Sequence, residues 1–519
     1  MTSPADAAGA PAPARSRSLA RSGLVTMVGA GAGAALGFAL TLVVARVLGA
    51  TGSGLLFTAT AAFGVAGVAG RMGADTALVR EVAALVALGR SGDVRRTVAL
   101  AVAPVVLVTS AVAAVVWLAA GPVAGALLGE ASASGVRVLR VLALVLPFAA
   151  VSMALVGASR GLGDVLPMVL VEQAGKPLLR VVAGLAVGVL GWGLLAMTWA
   201  WAVPVVVGCL LALVLLVRAL PSGRAAADGP APWRQLALPF WRFALPRGAA
   251  GTVEALSAAV AVLLVSVLAG AAQAGVMAGV LRYALVGTLA LQAVRLVVAP
   301  QLSAQLATGD AAGAQELHRW STWAVLALSG PAYACLAVYA APALSLLGPD
   351  FRAGAPALAI LCAAMLVNVA TGNVQAVLLM SGRSGTNLVV VLVGLAVHVA
   401  LAAALVPVLG VTGAAVAAGT VVVLENLLYL RSVRRALGIR TLTAPVSRLL
   451  AAVVISFAVP GALALVLLGT SWPAVLLHAA VSLPAYGAYL LRHREDVPVH
   501  QLTRALRTRA HTGRGVTRP

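Results

Sequence analysis

The sequence predicts an all-α protein that crosses a membrane many times, and three observations indicate this class. Apolar residues make up 61% of the 519 residues, charged residues make up only 10%, and the mean hydropathy is +1.03. Soluble domains contain about 45–50% apolar and about 25% charged residues, so this composition excludes them. The apolar residues also form runs long enough to cross a bilayer. Finally, the first half of the chain recurs downstream, which predicts two similar halves.

Each apolar run of about 20 residues is predicted to be one transmembrane helix, because backbone in lipid must satisfy its own hydrogen bonds. About fourteen spans are predicted, at residues 23–44, 54–78, 98–119, 138–158, 166–190, 194–217, 249–269, 274–300, 320–344, 355–379, 387–407, 412–430, 445–468 and 472–491. Only the turn at residues 191–193 separates the fifth span from the sixth, since one helix over 181–217 would be too long for a single crossing.

The internal repeat relates the first six spans to the next six. Short motifs recur in the same order, at offsets between 217 and 222 residues. The pairs are Gly92-Asp93 with Gly309-Asp310, Leu127-Leu128-Gly129 with Leu346-Leu347-Gly348, Gly163 with Gly385, Val189-Leu190-Gly191 with Val408-Leu409-Gly410, and Leu48…Gly54 with Leu268…Gly275. The predicted fold is therefore two pseudo-symmetric six-helix bundles followed by two C-terminal helices.

The spans and the repeat divide the chain into six segments. These are a disordered cytoplasmic tail (1–22), an N-lobe (23–217), a cytoplasmic linker (218–248), a C-lobe (249–430), two further spans with a basic connecting loop (431–491) and a basic cytoplasmic tail (492–519).

The net charge is +21, and its distribution favours a membrane rather than nucleic acid as the partner. Of the 36 Lys and Arg residues, 27 fall in predicted inner segments and five within spans. The other four are Arg46, Arg137, Arg140 and Arg352, in outer loops. This asymmetry follows the positive-inside rule and predicts a cell-membrane protein with both termini in the cytoplasm. Both lobes then begin on the same side, so an axis along the membrane normal relates them.

Ionisable residues within the spans are the candidates for function, because a charge at bilayer depth costs at least about 2.5–3.5 kcal/mol. There are nine: Arg71, Asp75, Glu172, Lys176, Arg180, Glu254, Arg282, Arg295 and Glu425. A four-residue spacing places Arg71 and Asp75 on one helix face. The same spacing joins Glu172 to Lys176, with Arg180 one further turn along that face.

The predicted depths separate paired from unpaired charges. Glu254 lies near the level of Arg295, so acids low in the bundle can neutralise bases there. Arg180 and Arg282 lie nearer mid-membrane, one in each lobe, and have no acidic partner at their depth.

A cationic chamber between the lobes is therefore predicted from four basic residues. These are Lys176, Arg180, Arg282 and, below them, Arg295. Several fixed cations suit a diphosphate, and arginine offers a planar fork to its oxygens. The alternative interpretation is that these residues form ion pairs that hold the bundle together.

Five residues are candidates for such ion pairs, and the acids among them are also candidates for binding a coupling proton or sodium ion. They are Arg71, Asp75, Glu172, Glu254 and Glu425. Uncharged polar residues cluster on the tenth to twelfth spans, at Asn368, Asn373, Gln375, Asn387, His398 and Asn426. Sugar hydroxyls would suit these groups, but we expect the commoner use, which is hydrogen bonding between helices.

The chain resembles a known family in six segments. They are residues 36–38, 45–54, 299–303, 309–310, 347–361 and 407–415. These segments resemble polysaccharide flippases of the multidrug/oligosaccharidyl-lipid/polysaccharide exporter superfamily, and the O-antigen and teichoic-acid exporter branch fits best. The resemblance implies a V-shaped pair of six-helix bundles that opens alternately to each side of the membrane. It also implies a lipid-linked glycan, usually on a polyprenyl diphosphate, as the cargo.

The leading functional prediction is a transporter that flips a lipid-linked oligosaccharide from the inner to the outer leaflet for cell-surface polysaccharide synthesis. A drug/cation antiporter is the first alternative, although that chemistry favours an acidic chamber. A glycosyltransferase or ligase would need catalytic carboxylates or a large loop domain, and the short loops provide neither, so we do not expect an enzyme. A non-transporting scaffold for glycan enzymes is the remaining alternative.

The expected partners are the lipid-linked glycan, membrane lipids, and glycosyltransferases or a polymerase, with the chain itself monomeric. Cys209, Cys335 and Cys362 all lie within spans, where they indicate neither a disulfide framework nor a metal site. No cofactor is implied.

Overall fold

Helices form nearly all of the chain that the structure describes, and no strand occurs among those residues. This structure is a computed structural model that describes residues 12–128, 133–220, 232–441, 443–469 and 471–493. The helices of the first half are α1 (Ala12–Arg71), α2 (Ala74–Ala87), α3 (Val94–Leu118), α4 (Ala120–Leu128), α5 (Ala133–Gly161), α6 (Lys176–Val189) and α7 (Leu194–Ala219). A π-helical segment, Met168–Gly175, leads directly into α6.

The second half repeats this pattern and adds a short C-terminal group. Its helices are α8 (Trp233–Ala269), α9 (Ala271–Val286), α10 (Thr288–Ala307), α11 (Ala311–Val338), α12 (Ala340–Ser345), α13 (Ala355–Thr371), α14 (Val374–Met380), α15 (Ser384–Leu437), α16 (Ala444–Val453), α17 (Val459–Leu468) and α18 (Trp472–Arg492). Each of the predicted spans overlaps at least one of these helices. The predicted all-α multi-pass fold is confirmed.

Two of the helical runs, α1 and α15, each contain two antiparallel helices. The reversal in α1 lies at Gly49, whose φ is +66°. There Ser53 Oγ donates to the carbonyl of Val44 at 3.3 Å, although nine residues separate the two. A straight helix would hold them about 13 Å apart, so the chain must turn back. Gly410, with φ +57°, marks the equivalent reversal in α15.

Left-handed glycines recur in the two lobes at a nearly constant offset, which supports the internal repeat. The pairs are Gly49 with Gly270 (φ +66° and +85°), Gly89 with Gly309 (+72° and +75°), Gly163 with Gly382 (+88° and +79°), and Gly191 with Gly410 (+68° and +57°). These offsets, between 219 and 221 residues, are tighter than those of the sequence motifs. By backbone conformation the counterpart of Gly163 is therefore Gly382 and not Gly385, with which the sequence motif paired it. A residue with a Cβ is strained at positive φ, so the shape of these turns accounts for the glycines.

Fewer helices meet the length and hydropathy criteria for a membrane span than the sequence predicts. Ten helices of the described chain meet those criteria, or eleven if α9 and α10, bent by 46°, form one span. The exact total of fourteen is therefore not confirmed. The difference arises because two of the ten are runs of 63 and 54 residues that each contain a reversal. In addition, the fifth predicted span divides into the π-helical segment and a 14-residue α6.

Two predicted segment boundaries differ from the structure. Residues 12–22 of the predicted tail are helical, because α1 begins at Ala12 in a segment rich in the strong helix formers Ala and Arg. The predicted linker is shorter than expected, because α8 begins at Trp233 and runs without interruption into the seventh span. Residues 1–11, 221–231 and 494–519 lie outside the described residues.

Helix α8 connects the two lobes rather than following a loose linker. Phe240 and Ala244 in its first half are fully buried in the N-lobe core, beside Leu78 of α2. Val262 and Val265 in its second half belong to the C-lobe core. A single 37-residue helix is about 55 Å long, so α8 can contribute to both cores.

A seam between the lobes forms where α1 crosses α9. Gly54 of α1 and Gly275 of α9 meet there, and the sequence pairs these two glycines in its repeat. A methyl group on Gly54 would overlap the carbonyl of Ala271, and one on Gly275 would overlap the carbonyl of Ala50. Glycine at both positions therefore allows the two backbones to touch, and the contact is itself pseudo-symmetric.

Tertiary contacts join turns that the predicted topology places on the same side of the membrane. One end of the bundle holds the turns at Gly49, Gly191, Gly270 and Gly410, and we name it the arginine-poor end. At this end Arg46 Nε donates to the carbonyl of Leu346 at 2.7 Å. The opposite, arginine-rich end holds the turns at Gly89, Gly163, Gly309 and Gly382, and residues 438–441. At this end Arg80 lies 4.5 Å from the ring centroid of Phe243.

The C-terminal helices α16–α18 pack against the C-lobe. Phe457, between α16 and α17, is buried against the same core as Leu326 of α11. Tyr486 of α18 donates from its hydroxyl to the carbonyl of Ala327 at 3.0 Å. Tyr339 donates to the carbonyl of Ala474 at 3.2 Å. These helices are therefore a fixed part of the C-lobe surface.

Candidate substrate site at the lobe seam

Arg282 lies at the seam, on α9, with its guanidinium against the opposite lobe. A methyl group built on Gly37 of α1 would lie 3.5 Å from Arg282 Nη1, an ordinary contact distance. The adjacent rings of Phe38 and Tyr283 meet edge to face, with centroids 5.0 Å apart and planes at 81°. This aromatic pair fixes the register in which α1 crosses α9. The Arg282 side chain remains exposed, and no carboxylate of the described chain forms an ion pair with it.

Arg295 lies on α10, beyond the 46° bend that separates α9 from α10. The bend is held by α11, because Ser329 Oγ donates to the carbonyl of Gly287 at 2.7 Å and Tyr333 donates to that of Ala284 at 2.8 Å. These bonds satisfy backbone carbonyls that the break leaves without helical partners. Arg295 is exposed and, like Arg282, forms no ion pair within the described residues. The two unpaired cations thus lie on differently oriented segments of one predicted span.

Arg180 of α6 is held inside the N-lobe by a tryptophan. Its guanidinium carbon lies 3.9 Å from the ring centroid of Trp201 on α7, and its Nε donates to the carbonyl of Trp201 at 3.1 Å. The Trp201 ring in turn meets Phe63 of α1 edge to face at 5.2 Å. Stacking on an aromatic face stabilises a cation without neutralising it. Arg180 therefore keeps a charge that no carboxylate of the described chain balances by direct pairing.

Lys176 is paired, unlike the three arginines. It is 6% exposed, and its Nζ lies 2.6 Å from Glu172 Oε1. Ser152 Oγ accepts from Lys176 Nζ at 3.0 Å and donates to the same carboxylate oxygen at 2.8 Å. Gly208 of α7 leaves the space that the lysine stem occupies. The triad is closed and buried, so its geometry favours the ion-pair interpretation for Lys176 over contact with a ligand.

Arg71 and Asp75 pair across a break in the second predicted span. Arg71 Nη1 lies 3.4 Å from Asp75 Oδ2, with the two side chains 13% and 26% exposed. Between them, Met72 has a φ of +51° and Gly73 a φ of +76°. Positive φ at a residue such as Met72 costs on the order of 1–3 kcal/mol, so surrounding contacts must hold this kink. The ion pair is one such contact.

Glu254 does not neutralise Arg295 in the way that the predicted depths suggested. Instead it lies 3.6 Å from Arg247, and both side chains are about half exposed, at 54% and 43%. The sequence interpretation assigned Arg247 to a cytoplasmic linker. Because α8 continues through that segment, Arg247 lies two helical turns from Glu254 on the same helix. Arg295 is consequently left without this acid.

Glu425 is half-buried in α15, where its carboxylate lies against Gly394 of the preceding antiparallel helix. No ion pair or hydrogen bond to this carboxylate is found within the described part of the chain. Gly394 provides the space, because a methyl group there would overlap the carboxylate. Glu425 is therefore the acid with the fewest direct contacts among the predicted coupling candidates.

The polar residues of the tenth to twelfth spans bond helices to one another. Asn426 of α15 donates to Asn368 Oδ1 of α13 at 3.1 Å. Asn387 Oδ1 accepts from Gln375 at 3.1 Å and from the Tyr429 hydroxyl at 3.0 Å. This is the use that we expected for these side chains. His398 is buried, and its Nε2 has no hydrogen-bond partner in the described chain.

Sequence reasoning missed the neighbours that position the arginines. Trp201 is the surface on which Arg180 stacks, and Gly37 is the surface on which Arg282 lies. A usable signal was present for Trp201, because aromatic residues make up only 4% of this chain and Trp201 lies within a predicted span beside the span of Arg180. No comparable signal marks Gly37 among 54 glycines.

The architecture defines a fold class, the multi-pass helical fold that solved structures of the MurJ flippase and of MATE transporters also have. A structure of the lipid II flippase MurJ in an inward closed conformation matches with a TM-score of 0.72 at 11% identity, covering 91% of this chain and 99% of that one. An inward-facing MATE family multidrug transporter of the MOP superfamily matches with a TM-score of 0.65 at 15% identity, covering 78% and 94%. A MOP superfamily transporter from Pyrococcus furiosus, described by the reverse polarity of its binding pocket, matches with a TM-score of 0.56 at 15% identity, covering 81% and 95%.

The chain belongs to the polysaccharide biosynthesis protein family, whose model matches residues 19–308. That range covers the N-lobe, α8, α9 and α10, and so includes Arg180, Arg282 and Arg295. A comparison with curated protein sequences gives no match. The protein thus belongs to a polysaccharide-synthesis family, and its fold is similar to those of the MurJ flippase and the MATE transporters.

Proposed function

We propose that this protein flips a lipid-linked oligosaccharide, carried on a polyprenyl diphosphate, from the inner to the outer leaflet of the cell membrane for surface polysaccharide synthesis. The family and the fold support transport of a polysaccharide precursor. Alternating access would expose the seam between α1 and α9 first to one leaflet and then to the other. The export pathway would supply glycosyltransferases or a polymerase as partners.

The observation that carries this proposal is the unpaired guanidinium of Arg282 at the seam. A charge at bilayer depth without a carboxylate partner needs water or an anionic ligand around it. Arg282 contacts α1 while belonging to α9, so a ligand bound to it would touch both lobes. Arg295 and Arg180 add further unneutralised cations, which suits the several oxygens of a diphosphate.

The orientation we propose places the arginine-rich end in the cytoplasm. The positive-inside rule favours this choice, because 27 of the 36 Lys and Arg residues lie in the segments assigned to that side. The tight Gly54–Gly275 contact lies toward the opposite, arginine-poor end. In this orientation the Gly54–Gly275 contact lies on the outer side of the seam, and flipping would begin in the cytoplasmic leaflet.

Reconstituted flipping tests the role of Arg282. Purified full-length protein is placed in liposomes with a fluorescent polyprenyl-diphosphate oligosaccharide, and flipping is read from the fraction accessible to an external quencher. Arg282→Ala should reduce the initial rate at least about tenfold, because a charge-assisted contact is worth about 1.5–3 kcal/mol. Arg282→Lys should keep part of the rate, since it retains the charge and loses only the fork.

Arg140→Ala is the matched control for this experiment. Arg140 is also an arginine near the membrane, but it lies 5.6 Å from the ring centroid of Trp117, between α3 and α5 and away from the seam. Its replacement should leave the rate unchanged. A normal rate for Arg282→Ala would reject the proposed contact, and absence of flipping by the unmodified protein would favour the scaffold alternative.

A drug/cation antiporter is the second candidate, and Glu425 is the observation that favours it. An acid with no direct partner within the described chain can take up a proton or a cation. The same vesicles distinguish the two functions, because an antiporter would accumulate an organic cation in exchange for protons without any lipid-linked glycan present.

A further inference from the structure

A cluster of arginines lines a cavity at the arginine-rich end, apart from the seam. Three of them, Arg431, Arg434 and Arg435, project from the last turns of α15. Spacings of three and four residues place Arg431 on the same helix face as the other two. Gly438, with φ +70°, ends the helix and turns the chain so that Arg440 lines the same cavity. The cavity has a volume of about 770 Å³.

Helix α11 holds the loop that carries Arg440 in place. The side-chain amide of Gln315 holds both backbone groups of Arg440, accepting from its N–H and donating to its carbonyl. The next residue, Thr441, hydrogen-bonds through its hydroxyl to His318 Nε2 at 2.8 Å, and both side chains are buried. Two side chains of α11, Gln315 and the buried His318, thus hold the loop, so the cavity wall is built into the fold.

The charges in this cavity have no counter-ion within the described residues. No ion pair joins any of the four arginines to an acid there, and all four side chains are exposed to the cavity or to solvent. Basic residues complement the partial negative charge at a helix C-terminus, which accounts for those on α15. That effect does not account for Arg440, which lies beyond the end of the helix. Four guanidinium groups around one space favour a ligand with several anionic oxygens.

An adjoining apolar surface indicates where such an anion comes from. Leu427 is 55% exposed and lies one turn before Arg431 on the same face of α15. Leu430 and the buried Ile439 also line the cavity. A soluble phosphate would gain nothing from these neighbours. A lipid would place its acyl chains beside Leu427 and its head group among the arginines.

We propose that this cavity binds the phosphate head group of an anionic phospholipid in the leaflet next to the arginine-rich end. The site is separate from the Arg282 seam and touches no residue assigned there. Occupancy would join the end of α15 to residues 438–441, and so to the start of α11. The inference does not require that the protein flip a glycan.

Lipid retention measured on the purified full-length protein tests this site. The protein in detergent is incubated with phosphatidylglycerol or phosphatidylcholine, and bound lipid is counted by native mass spectrometry. The unmodified protein should retain phosphatidylglycerol in preference. The double variant Arg434→Gln/Arg440→Gln should reduce that retention about 25-fold, or about fivefold for each arginine. Arg383→Gln is the matched control, because Arg383 is an arginine of the same end that does not line the cavity.

Two further experiments test whether the loop geometry contributes to binding and whether the ligand is a lipid or a free anion. Gln315→Ala keeps all four charges but frees the Arg440 loop, so it should also weaken retention while phosphatidylcholine binding stays the same. Millimolar inorganic pyrophosphate should displace little phosphatidylglycerol if the lipid is the ligand. Equal retention by the double variant and the Arg383→Gln control would overturn the proposal, and efficient displacement by pyrophosphate would overturn the assignment to lipid.

Discussion

At the scale of single residues, pairing separates structural charges from the candidate binding charges. Lys176 has a carboxylate and a hydroxyl within 3.0 Å, whereas Arg282 has a glycine of the opposite lobe. Spacing in the sequence predicted the first relation, because residues four apart on a helix share a face. It could not predict the second, since the contact between Arg282 and Gly37 depends on how two distant helices cross.

The buried triad gives a stability prediction for Lys176. Lys176→Met should lower the melting temperature markedly, because it leaves Glu172 buried without its cation, a loss of about 3–5 kcal/mol. The double variant Lys176→Met/Glu172→Gln should recover much of that stability, since it removes both charges. Thermal unfolding in detergent, followed by tryptophan fluorescence, measures both effects. A stable Lys176→Met protein that has lost flipping would instead assign Lys176 to the cationic chamber.

At the scale of elements, the crossing of α1 and α9 is the contact on which the proposed alternating access depends. The matched glycines Gly54 and Gly275 allow the backbones to touch at the arginine-poor end. Arg46 adds a second link between the lobes there through the carbonyl of Leu346. At the arginine-rich end the first half of α8 is buried in the N-lobe core through Phe240. The lobes are therefore joined at both ends, and different elements form the two connections.

Gly54→Ala should hold the lobes apart at the arginine-poor end. Even one methyl group would overlap the carbonyl of Ala271, so the closed contact could not form. Flipping should fall while the protein still folds, and the distance between spin labels at Arg137 and Arg352 should increase. Gly121→Ala is the control, because a methyl group on Gly121 meets nothing within 4 Å. An unchanged label distance in Gly54→Ala would mean that this contact does not close the seam.

The helices also show how much of the fold the sequence could predict. Every span predicted from an apolar run overlaps a helix of the structure, because length and hydropathy are properties of a single helix. They could not reveal that α8 continues through the proline-containing segment around Pro239 and Pro246. Packing of Phe240 into the N-lobe core holds that segment helical, and only the tertiary structure supplies this contact.

At the scale of the whole molecule, the repeat organises both the fold and the candidate site. Paired left-handed glycines at offsets of 219 to 221 residues place equivalent turns in the two lobes. The charges do not follow this symmetry. The N-lobe holds its cations against Glu172 and Trp201, while Arg282 and Arg295 of the second half have no direct partner within the described residues. The sequence placed half of the predicted chamber in each lobe. In the structure Arg180 of the N-lobe stacks on Trp201, whereas Arg282 and Arg295 have no direct partner among the described residues.

Selectivity for the carrier's phosphates is the most direct test of contact between Arg282 and a diphosphate. Flipping rates are compared in liposomes for one oligosaccharide on a polyprenyl diphosphate and on a polyprenyl monophosphate, with unmodified protein and with Arg282→Ala. If Arg282 binds the diphosphate, the unmodified protein should prefer that carrier and Arg282→Ala should lose the preference, so that its two rates converge. Equal reduction of both rates, with the preference intact, would contradict a contact between Arg282 and the diphosphate.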